Sequence, residues 1–252
     1  VPPLIPSVLE GGLCSVSPTT TFPNQNVTWT ANWSGGLAPY SYQWSGQNVS
    51  STNNTSATLQ IPYSASGTKT QSVIITSSDE QSISNSCSNS VTVYSPIAGS
   101  CAANLNTAYP GQNVTWSASG VSGGPGTYTY SWTGSDGLSG TGSSVTKPYS
   151  STGNKTASVT ISSGGGSQAV ACTNNSGGST SVPVNATPDP TASISANPTA
   201  ISYGGASNIS WSSTNASSCN VYQGVYNFSS GTSGGPTSSG VLYSDTVHSI
   251  TC

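Results

Sequence analysis

The sequence predicts an all-β protein of three tandem β-sandwich domains, and three observations lead to this fold class. Apolar and polar residues alternate in short runs, no run has helical periodicity with capping residues, and the pattern returns after about 87 residues. The alternation is clearest at Val27 and Trp29, and it recurs at Val114 and Trp116. Clusters of Gly, Ser and Asn separate these runs and predict turns, as in a sandwich of short antiparallel strands.

Three matching blocks define the first two repeats of the chain. The pairs are residues 22–31 with 109–118, residues 40–46 with 128–134, and residues 62–70 with 148–156. A third, divergent copy begins near Thr191 and carries the first block again at residues 203–211. Since each copy contains several strand-like runs and at least one tryptophan, we predict one sandwich per copy, with the tryptophans in its core.

The predicted domain boundaries follow from these blocks and from short linkers that contain proline. We expect an extended tail followed by three domains, named repeats 1, 2 and 3 below, at residues 1–12, 13–96, 97–187 and 188–252. Repeats 1 and 2 continue past their late strand into a final strand, whereas repeat 3 reaches Cys252 at that point. We therefore expect repeat 3 to lack its last strand and to expose an apolar sheet edge.

The composition excludes several classes of function. Charged residues are 4% of the chain, with 3 Lys and Arg together, 6 Asp and Glu, and a net charge of −3. Three cations cannot neutralise a phosphate backbone, so we expect no nucleic-acid partner. The scattered acids and the single His248 form no catalytic or metal-binding pattern, and we predict no enzyme activity, no catalytic residue, no cofactor and no metal. Since no apolar run is long enough, we expect no membrane-spanning segment.

The six cysteines predict three disulfides and an oxidising, extracellular location. An even number of cysteines without a Cys-x-x-Cys pair is typical of disulfides in a secreted chain. Fifteen pairings are possible, and the repeats favour the sequential one, which is Cys14–Cys87, Cys101–Cys172 and Cys219–Cys252. No signal peptide precedes Val1, and we expect Val1 to be the first residue of a processed chain.

The order of motifs in repeats 1 and 2 resembles PKD domains and related bacterial immunoglobulin-like domains of surface proteins. The residues that carry the resemblance are Trp29, Tyr42, Trp44, Tyr63, Gly67 and Val73, with Trp116, Tyr130, Trp132, Tyr149, Gly153 and Val159. The resemblance implies an immunoglobulin-like sandwich in a surface protein. The acidic turn that follows the second tryptophan in typical PKD domains is replaced by Ser45-Gly46 and Thr133-Gly134, which argues against a calcium site.

These observations predict a secreted structural protein, a subunit of a cell-surface filament or coat with copies of itself as partners. The tail has apolar residues but no repeat of its own, and we expect it to complement the open edge of repeat 3 in the next copy. Its assembly residues would be Leu4, Ile5, Val8 and Leu9. The alternative is an adhesin stalk or a carbohydrate-binding accessory module that binds surface glycans, for which Trp33 is the candidate contact because repeat 2 has Gly120 there.

Two further sets of residues are candidates for modification. Asn-x-Ser/Thr sequons are dense, and those that best suit N-glycosylation are Asn32, Asn154, Asn174 and Asn227, followed by Asn26, Asn113 and Asn208. Lys69 and Lys155 occupy equivalent positions, where a cross-link to an asparagine is conceivable. Because no acid recurs beside them in the sequence, we expect exposed lysines that discourage pairing of strand edges.

Overall fold

The computed structural model describes residues 7–49 and 56–252, in which the regular structure is β apart from one 3-10 turn at Ser135–Gly137. The chain divides into two compact units, Val1–Asn185 and Ala186–Cys252. The first unit has two buried clusters, one in repeat 1 and one in repeat 2, and the second unit has a third cluster in repeat 3. The predicted all-β fold class is confirmed. The boundary between repeats 1 and 2 stays a prediction.

Repeat 1 packs two three-stranded sheets, β2-β4-β7 and β10-β9-β6, and closes them with the sheet β3-β11-β8. A short pair, β1-β5, lies beside them. The strands are β1 (Glu10–Gly11), β2 (Ser15–Ser17), β3 (Thr20–Thr21), β4 (Asn26–Thr30), β5 (Trp33–Ser34), β6 (Ser41–Gly46), β7 (Thr58–Pro62), β8 (Gly67–Lys69), β9 (Gln71–Thr76), β10 (Ser82–Ser86) and β11 (Val91–Val93).

The alternation read in the sequence forms the core of repeat 1. Val27 and Trp29 of β4 are fully buried, while Thr28 between them is partly exposed, as the two-residue period of a strand requires. Trp44 of β6 is buried in the same cluster, and its Nε1 donates to the Ser56 carbonyl over 2.8 Å. The two tryptophans belong to different sheets, so they join the layers of the sandwich.

Repeat 2 follows the same plan with longer strands. Its sheets are β12-β13-β16, β15-β14-β18-β19 and the closing pair β17-β20. The strands are β12 (Ala98–Ala103), β13 (Asn113–Ser122), β14 (Thr129–Gly134), β15 (Leu138–Gly140), β16 (Ser144–Pro148), β17 (Gly153–Lys155), β18 (Ala157–Ser163), β19 (Gly166–Ala171) and β20 (Val182–Val184). Trp116 and Trp132 are buried in its cluster, as predicted.

The junction between repeats 1 and 2 is packed, which explains why both belong to one compact unit. Phe22 of repeat 1 contacts the buried cluster of repeat 2, and its ring lies 5.7 Å from that of Tyr94. The amide of Gly124 donates to the Ser95 carbonyl over 2.9 Å. A linker fixed by an aromatic pair and a backbone hydrogen bond is stiffer than its length alone predicts.

Repeat 3 is a smaller sandwich of two three-stranded sheets, β21-β22-β25 and β24-β23-β26. The strands are β21 (Thr191–Asn197), β22 (Asn208–Thr214), β23 (Asn220–Gln223), β24 (Tyr226–Ser230), β25 (Ser233–Ser238) and β26 (His248–Thr251). Its buried cluster consists of Ile209, Trp211 and Val221. Gly234 of β25 lies so close to the Trp211 ring that a Cβ atom at this residue would collide with the ring. The indole therefore occupies the space that a side chain at residue 234 would need.

Candidate functional site

The last strand of repeat 1 fills a slot between two other segments. Strand β11 runs parallel to β3 on one side and antiparallel to β8 on the other. The amide of Thr92 donates to the Thr19 carbonyl over 2.9 Å, and the amide of Tyr94 donates to the Thr21 carbonyl over 2.8 Å. Val91 and Val93 point into the core and are buried. The strand therefore completes both a backbone ladder and the apolar interior.

Repeat 2 fills the same slot in the same way. Strand β20 pairs antiparallel with β17, and Val184 forms a parallel bridge with Ala108. The amide of Asn185 donates to the Ala108 carbonyl over 2.9 Å. Val182 and Val184 are buried, whereas the intervening Pro183 is partly exposed. Both slots thus take a strand with valines at two alternate positions.

Repeat 3 has the walls of this slot in equivalent places. The Gly204 amide donates to the Leu242 carbonyl over 2.9 Å, as the Asn24 amide donates to the Tyr63 carbonyl in repeat 1. In the sheets, Val221 pairs with Ile250, as Trp44 pairs with Val73. By these two matches, residues 199–201 correspond to the region of β3, and residues 245–248 correspond to β8 and the start of β9.

Between these walls lies a cavity of about 490 Å³, named the slot cavity here. Its apolar lining includes Ile201, Ile209 and Leu242. In the described part of the chain, the backbone groups of residues 199–201 have no hydrogen-bond partner. The cavity therefore occupies the position that the last strand holds in repeats 1 and 2.

Strand β26 forms one edge of this opening. Its equivalents β9 and β18 are each flanked by two strands, whereas among the described residues β26 is paired with β23 alone. In repeat 1 the carbonyl of Gln71 accepts from the amide of Cys87. His248, which holds the place of Gln71, has no such backbone partner among the described residues. The outer edge of β26 thus carries no paired strand among the described residues, and the absence of a last strand from repeat 3 stays a prediction.

Exposed aromatic and aliphatic side chains surround the slot cavity. Tyr203 and Tyr243 line it, their rings are 5.2 Å apart, and they are 83% and 65% exposed. A second cavity of about 810 Å³ shares Asp245 and Thr246 with the first. Its lining includes three strongly exposed apolar side chains, those of Val225, Tyr226 and Val247. The open end of repeat 3 is therefore an apolar surface of the kind that marks a contact site.

His248 is the titratable group that faces the slot cavity from β26. Its Nε2 atom is buried and has no hydrogen-bond partner in the described structure, and its ring meets that of Phe228 edge-on at 5.6 Å. Burial lowers the pKa of this imidazole below its usual value, because the surroundings disfavour the charged form. A neutral imidazole with an unpaired nitrogen suits an uncharged polar partner.

The structure pairs the six cysteines in the predicted sequential order. The bridges in repeats 1 and 2 each join a residue at the first strand of the main sheet, beside β2 or within β12, to the residue directly after β10 or β19. The bridge Cys219–Cys252 instead joins the two neighbouring strands β23 and β26 at their ends. In the ladder of repeat 3, Ala192 takes the place of Cys101. The sequence did not reveal this change in bridge position.

The tail prediction needs a correction. We expected residues 1–12 to belong to no repeat, but strand β1 pairs with β5, and the Leu9 side chain is only 6% exposed. The Leu9 amide also donates to Gln81 Oε1 over 2.8 Å. Residues 7–12 are therefore part of repeat 1. Of the two predicted assembly residues in the described part, Leu9 is buried and Val8 is exposed. Leu4 and Ile5 lie outside the described residues.

The sequons differ in accessibility. Asn174 is buried, and its Oδ1 accepts from Ser176 Oγ and from the Ser179 amide, so it is a poor glycan acceptor. Asn32 is exposed, but its Nδ2 donates to the Leu13 carbonyl over 2.6 Å. The remaining candidates are exposed on strands, and they are Asn26, Asn113, Asn154, Asn208 and Asn227. Glycosylation of these residues stays a prediction.

Trp33, the candidate glycan contact, is half-buried on β5. The rings of Tyr40 and Tyr42 meet it edge-on at 5.3 and 5.2 Å. Tyr40 is itself fixed by a hydrogen bond from its hydroxyl to the Gly35 carbonyl. Because two neighbouring rings already contact Trp33, its position favours a role in packing over a role as a surface on which a sugar stacks.

The two equivalent lysines have different surroundings, and the expectation for Lys155 was wrong. Lys155 is 5% exposed, and its Nζ donates to Asp136 Oδ2 over 2.9 Å and to Ser151 Oγ over 2.8 Å. This hydrogen bond holds the pKa of the Asp136 carboxyl below its usual value. Lys69 is half-buried and donates to the Ser66 carbonyl over 3.3 Å. Asp136 lies in a turn distant in sequence, so the sequence pattern gave no signal of the pair.

Residues 7–49 and 56–252 contain no group of three or more His, Cys, Asp and Glu side chains that could hold a metal ion. The same part of the chain contains no helix long and apolar enough to cross a membrane.

Comparison with known proteins agrees with the resemblance found in the sequence. Residues 95–176 match the family model of the PKD domain, so repeat 2 up to a point before its last strand β20 is similar to that family. The match covers about a third of the chain, and over these residues the resemblance to PKD domains predicted from the motifs is confirmed. Comparison with curated proteins gave no match.

Solved structures similar to this chain also consist of tandem β domains. Three N-terminal domains of the bacteriophage RB49 Highly Immunogenic Outer Capsid protein are 14% identical over 94% of this chain and 82% of that chain, with a TM-score of 0.35. The Clostridium thermocellum CbhA fibronectin(III)-like modules are 14% identical over 69% and 95%, with a TM-score of 0.32. The amphioxus IgVJ-C2 molecule is 13% identical over 60% and 96%, with a TM-score of 0.33. Likeness at this level carries no argument about function.

Proposed function

We propose that this chain is an extracellular structural protein, a subunit of a cell-surface filament or coat that assembles head to tail. The observation that carries the proposal is the outer edge of β26 beside the slot cavity, which pairs with no strand among the described residues. An unpaired edge with an adjacent apolar groove is a template for a strand from another chain. A contact between two different surfaces of one subunit does not close on itself, so it propagates into a filament.

The extracellular setting is supported by covalent and surface chemistry. Three disulfides cross-link the chain, and such bonds persist where the environment is oxidising. The described surface is dominated by uncharged Ser, Thr, Asn and Gly, with a total of 4% charged residues in the chain. A surface of this kind changes little with salt, because few charges are present to be screened.

The donor that we assign is the segment of residues 1–6 of a neighbouring copy. Residues 7–12 are held by their own repeat 1, so the donor segment ends before residue 7. The six preceding residues include Leu4 and Ile5, one of which would face the slot because neighbouring residues of a strand point to opposite sides, and six residues of extended chain span roughly 20 Å. Val182-Pro183-Val184 in repeat 2 sets a precedent for proline within a strand of this slot.

The experiment compares the purified chain with a variant that lacks residues 1–6. We expect filaments of the whole chain in electron micrographs and fast-sedimenting species in the ultracentrifuge, and monomers of the deletion variant. Leu13→Ser is a matched control, since it removes an exposed apolar side chain just past the tail and should leave the filaments unchanged. Filaments from the deletion variant, or a whole chain that stays monomeric at millimolar concentration, would contradict the proposal.

A further inference from the structure

We propose that the slot cavity of repeat 3 binds an extended polypeptide strand that carries valine-like side chains at two alternate positions. This inference deepens the proposed function, since it rests on the same open edge, and it adds the direction, the register and the sequence type of the occupant. The partner is thus defined by chemistry, as a strand of the kind that ends repeats 1 and 2.

The direction and the backbone contacts follow from repeat 1. Residues 18–25 and 198–205 share the Pro-Thr start and the same turn, in which the Gln25 amide donates to the Phe22 carbonyl and the Gly205 amide donates to the Ser202 carbonyl. Thr199 and Ile201 therefore correspond to Thr19 and Thr21, whose carbonyls accept from the last strand. The occupant runs parallel to residues 199–201, and its amides donate to the carbonyls of Thr199 and Ile201.

The sequence type follows from the side chains that fill the other two slots. In repeats 1 and 2 the alternate positions are Val91 with Val93 and Val182 with Val184, and all four are buried. Side chains of this size at the same positions of an occupant would contact the apolar lining at Ile201, Ile209 and Leu242. The residue between them faces outward, which explains how repeat 2 accommodates a proline there.

The polar groups of the slot also favour a peptide. The backbone groups of residues 199–201 and 245–246, which correspond to the regions of β3 and β8, have no partners in the described structure, and a strand satisfies such groups in series. The buried Nε2 of His248 adds one unpaired polar atom to the lining. The exposed rings of Tyr203 and Tyr243 at the rim would be covered by residues that flank the two valine-like positions.

The test uses the whole 252-residue chain and a synthetic peptide with the sequence of residues 88–94, Ser-Asn-Ser-Val-Thr-Val-Tyr. The matched control peptide has serine in place of both valines. We expect binding of the first peptide in titration calorimetry, at least tenfold weaker binding of the control, and slower hydrogen exchange at residues 199–201 and 245–246, which correspond to the two segments that flank β11. Equal binding of the two peptides, protection at other residues, or no binding at millimolar concentration would overturn the proposal.

Two variants locate the binding site. Ile201→Asp places a charge in the slot wall and should reduce peptide binding at least tenfold, while Leu37→Ser, an exposed apolar residue of repeat 1, should leave it unchanged. Tyr243→Ser changes the exposed rim with little risk to folding and should weaken binding severalfold. Unchanged binding by both the Ile201 and Tyr243 variants would place the peptide elsewhere and overturn the proposal.

A third peptide, with the sequence of residues 1–6, separates this inference from the filament proposal. Binding of residues 88–94 without binding of residues 1–6 supports the slot and refutes the assigned donor. Filaments that depend on residues 1–6, combined with no binding of residues 88–94, support the filament and refute the valine-type slot.

Discussion

Repeats 2 and 3 are sandwiches of similar plan that are closed differently. In repeat 2, β20 fills the slot, and the bridge Cys101–Cys172 ties the first strand to the chain just after β19. In repeat 3 the slot is a cavity, and the bridge Cys219–Cys252 ties two neighbouring strands of one sheet. The comparison teaches that the last strand supplies two things together, a backbone ladder and two core side chains.

The cores of the two repeats reflect this difference. Trp116 and Trp132 belong to a large cluster in repeat 2 that also takes in Val182 and Val184 of the last strand. The cluster of repeat 3 is limited to Ile209, Trp211 and Val221. Apolar side chains that would lie under a last strand remain at the surface of repeat 3 instead. Stability should therefore be lower in repeat 3, since it buries less apolar surface.

The largest expected effect is the loss of stability when a core tryptophan is removed, and it differs between repeats 2 and 3. Trp116→Ala should lower the free energy of unfolding of repeat 2 by about 3–5 kcal/mol, because it leaves a cavity among fully buried residues. Trp211→Ala should cost less, since Trp211 packs in a smaller buried cluster. Hydrogen exchange read by mass spectrometry reports on each repeat separately. Ser117→Ala, on the exposed face of the same strand, is the control. A smaller loss of unfolding free energy for Trp116→Ala than for Trp211→Ala would contradict the comparison.

Replacing the cysteines tests how much each disulfide contributes to the stability of its own repeat. Replacing Cys101 and Cys172 by serine should cost repeat 2 about 4 kcal/mol, since the bridge closes a separation of 71 residues. The same change at Cys219 and Cys252, separated by 33 residues, should cost slightly less in free energy but a larger share of the stability of repeat 3. We expect exchange protection to vanish in repeat 3 and to persist in repeat 2. Protection that persists in both would contradict this expectation.

A hydroxyl network sharpens the comparison between repeats 1 and 3. The Tyr63 hydroxyl accepts from Trp29 Nε1 over 3.1 Å and from Gln71 Nε2 over 2.7 Å, whereas repeat 3 has Leu242 at the position of Tyr63. Tyr63→Phe should lower the free energy of unfolding of repeat 1 by about 1–3 kcal/mol, because it removes the acceptor from two buried donors. Urea unfolding measures the loss, and Tyr109→Phe, at an exposed position, should show none.

The smallest expected effect depends on pH. Asp136 has a lowered pKa in the folded chain, so its contribution to stability is present above the unfolded-state pKa and is lost as pH falls through the folded-state pKa. The urea midpoint of repeat 2 should therefore fall below about pH 4, and Asp136→Asn should lose this component of the pH dependence. Glu10→Gln, at an exposed position, is the control. An unchanged profile for Asp136→Asn would show that the pair with Lys155 has no such effect.

The sequence by itself determined the all-β class, the tandem repeats, the core tryptophans and the sequential order of the cysteine pairs. Each of these depends on a short-range pattern, either a two-residue period or a motif that recurs along the chain.

The tertiary structure decided what depends on contacts between distant residues. The burial of Leu9 in repeat 1, the pair of Lys155 with Asp136 and the burial of Asn174 each require segments brought together by the fold. The position of the slot cavity between residues 199–201 and 245–248 is of the same kind. Side-chain burial depends on which strands become neighbours, and the sequence encodes that choice only through the whole packing of the sandwich.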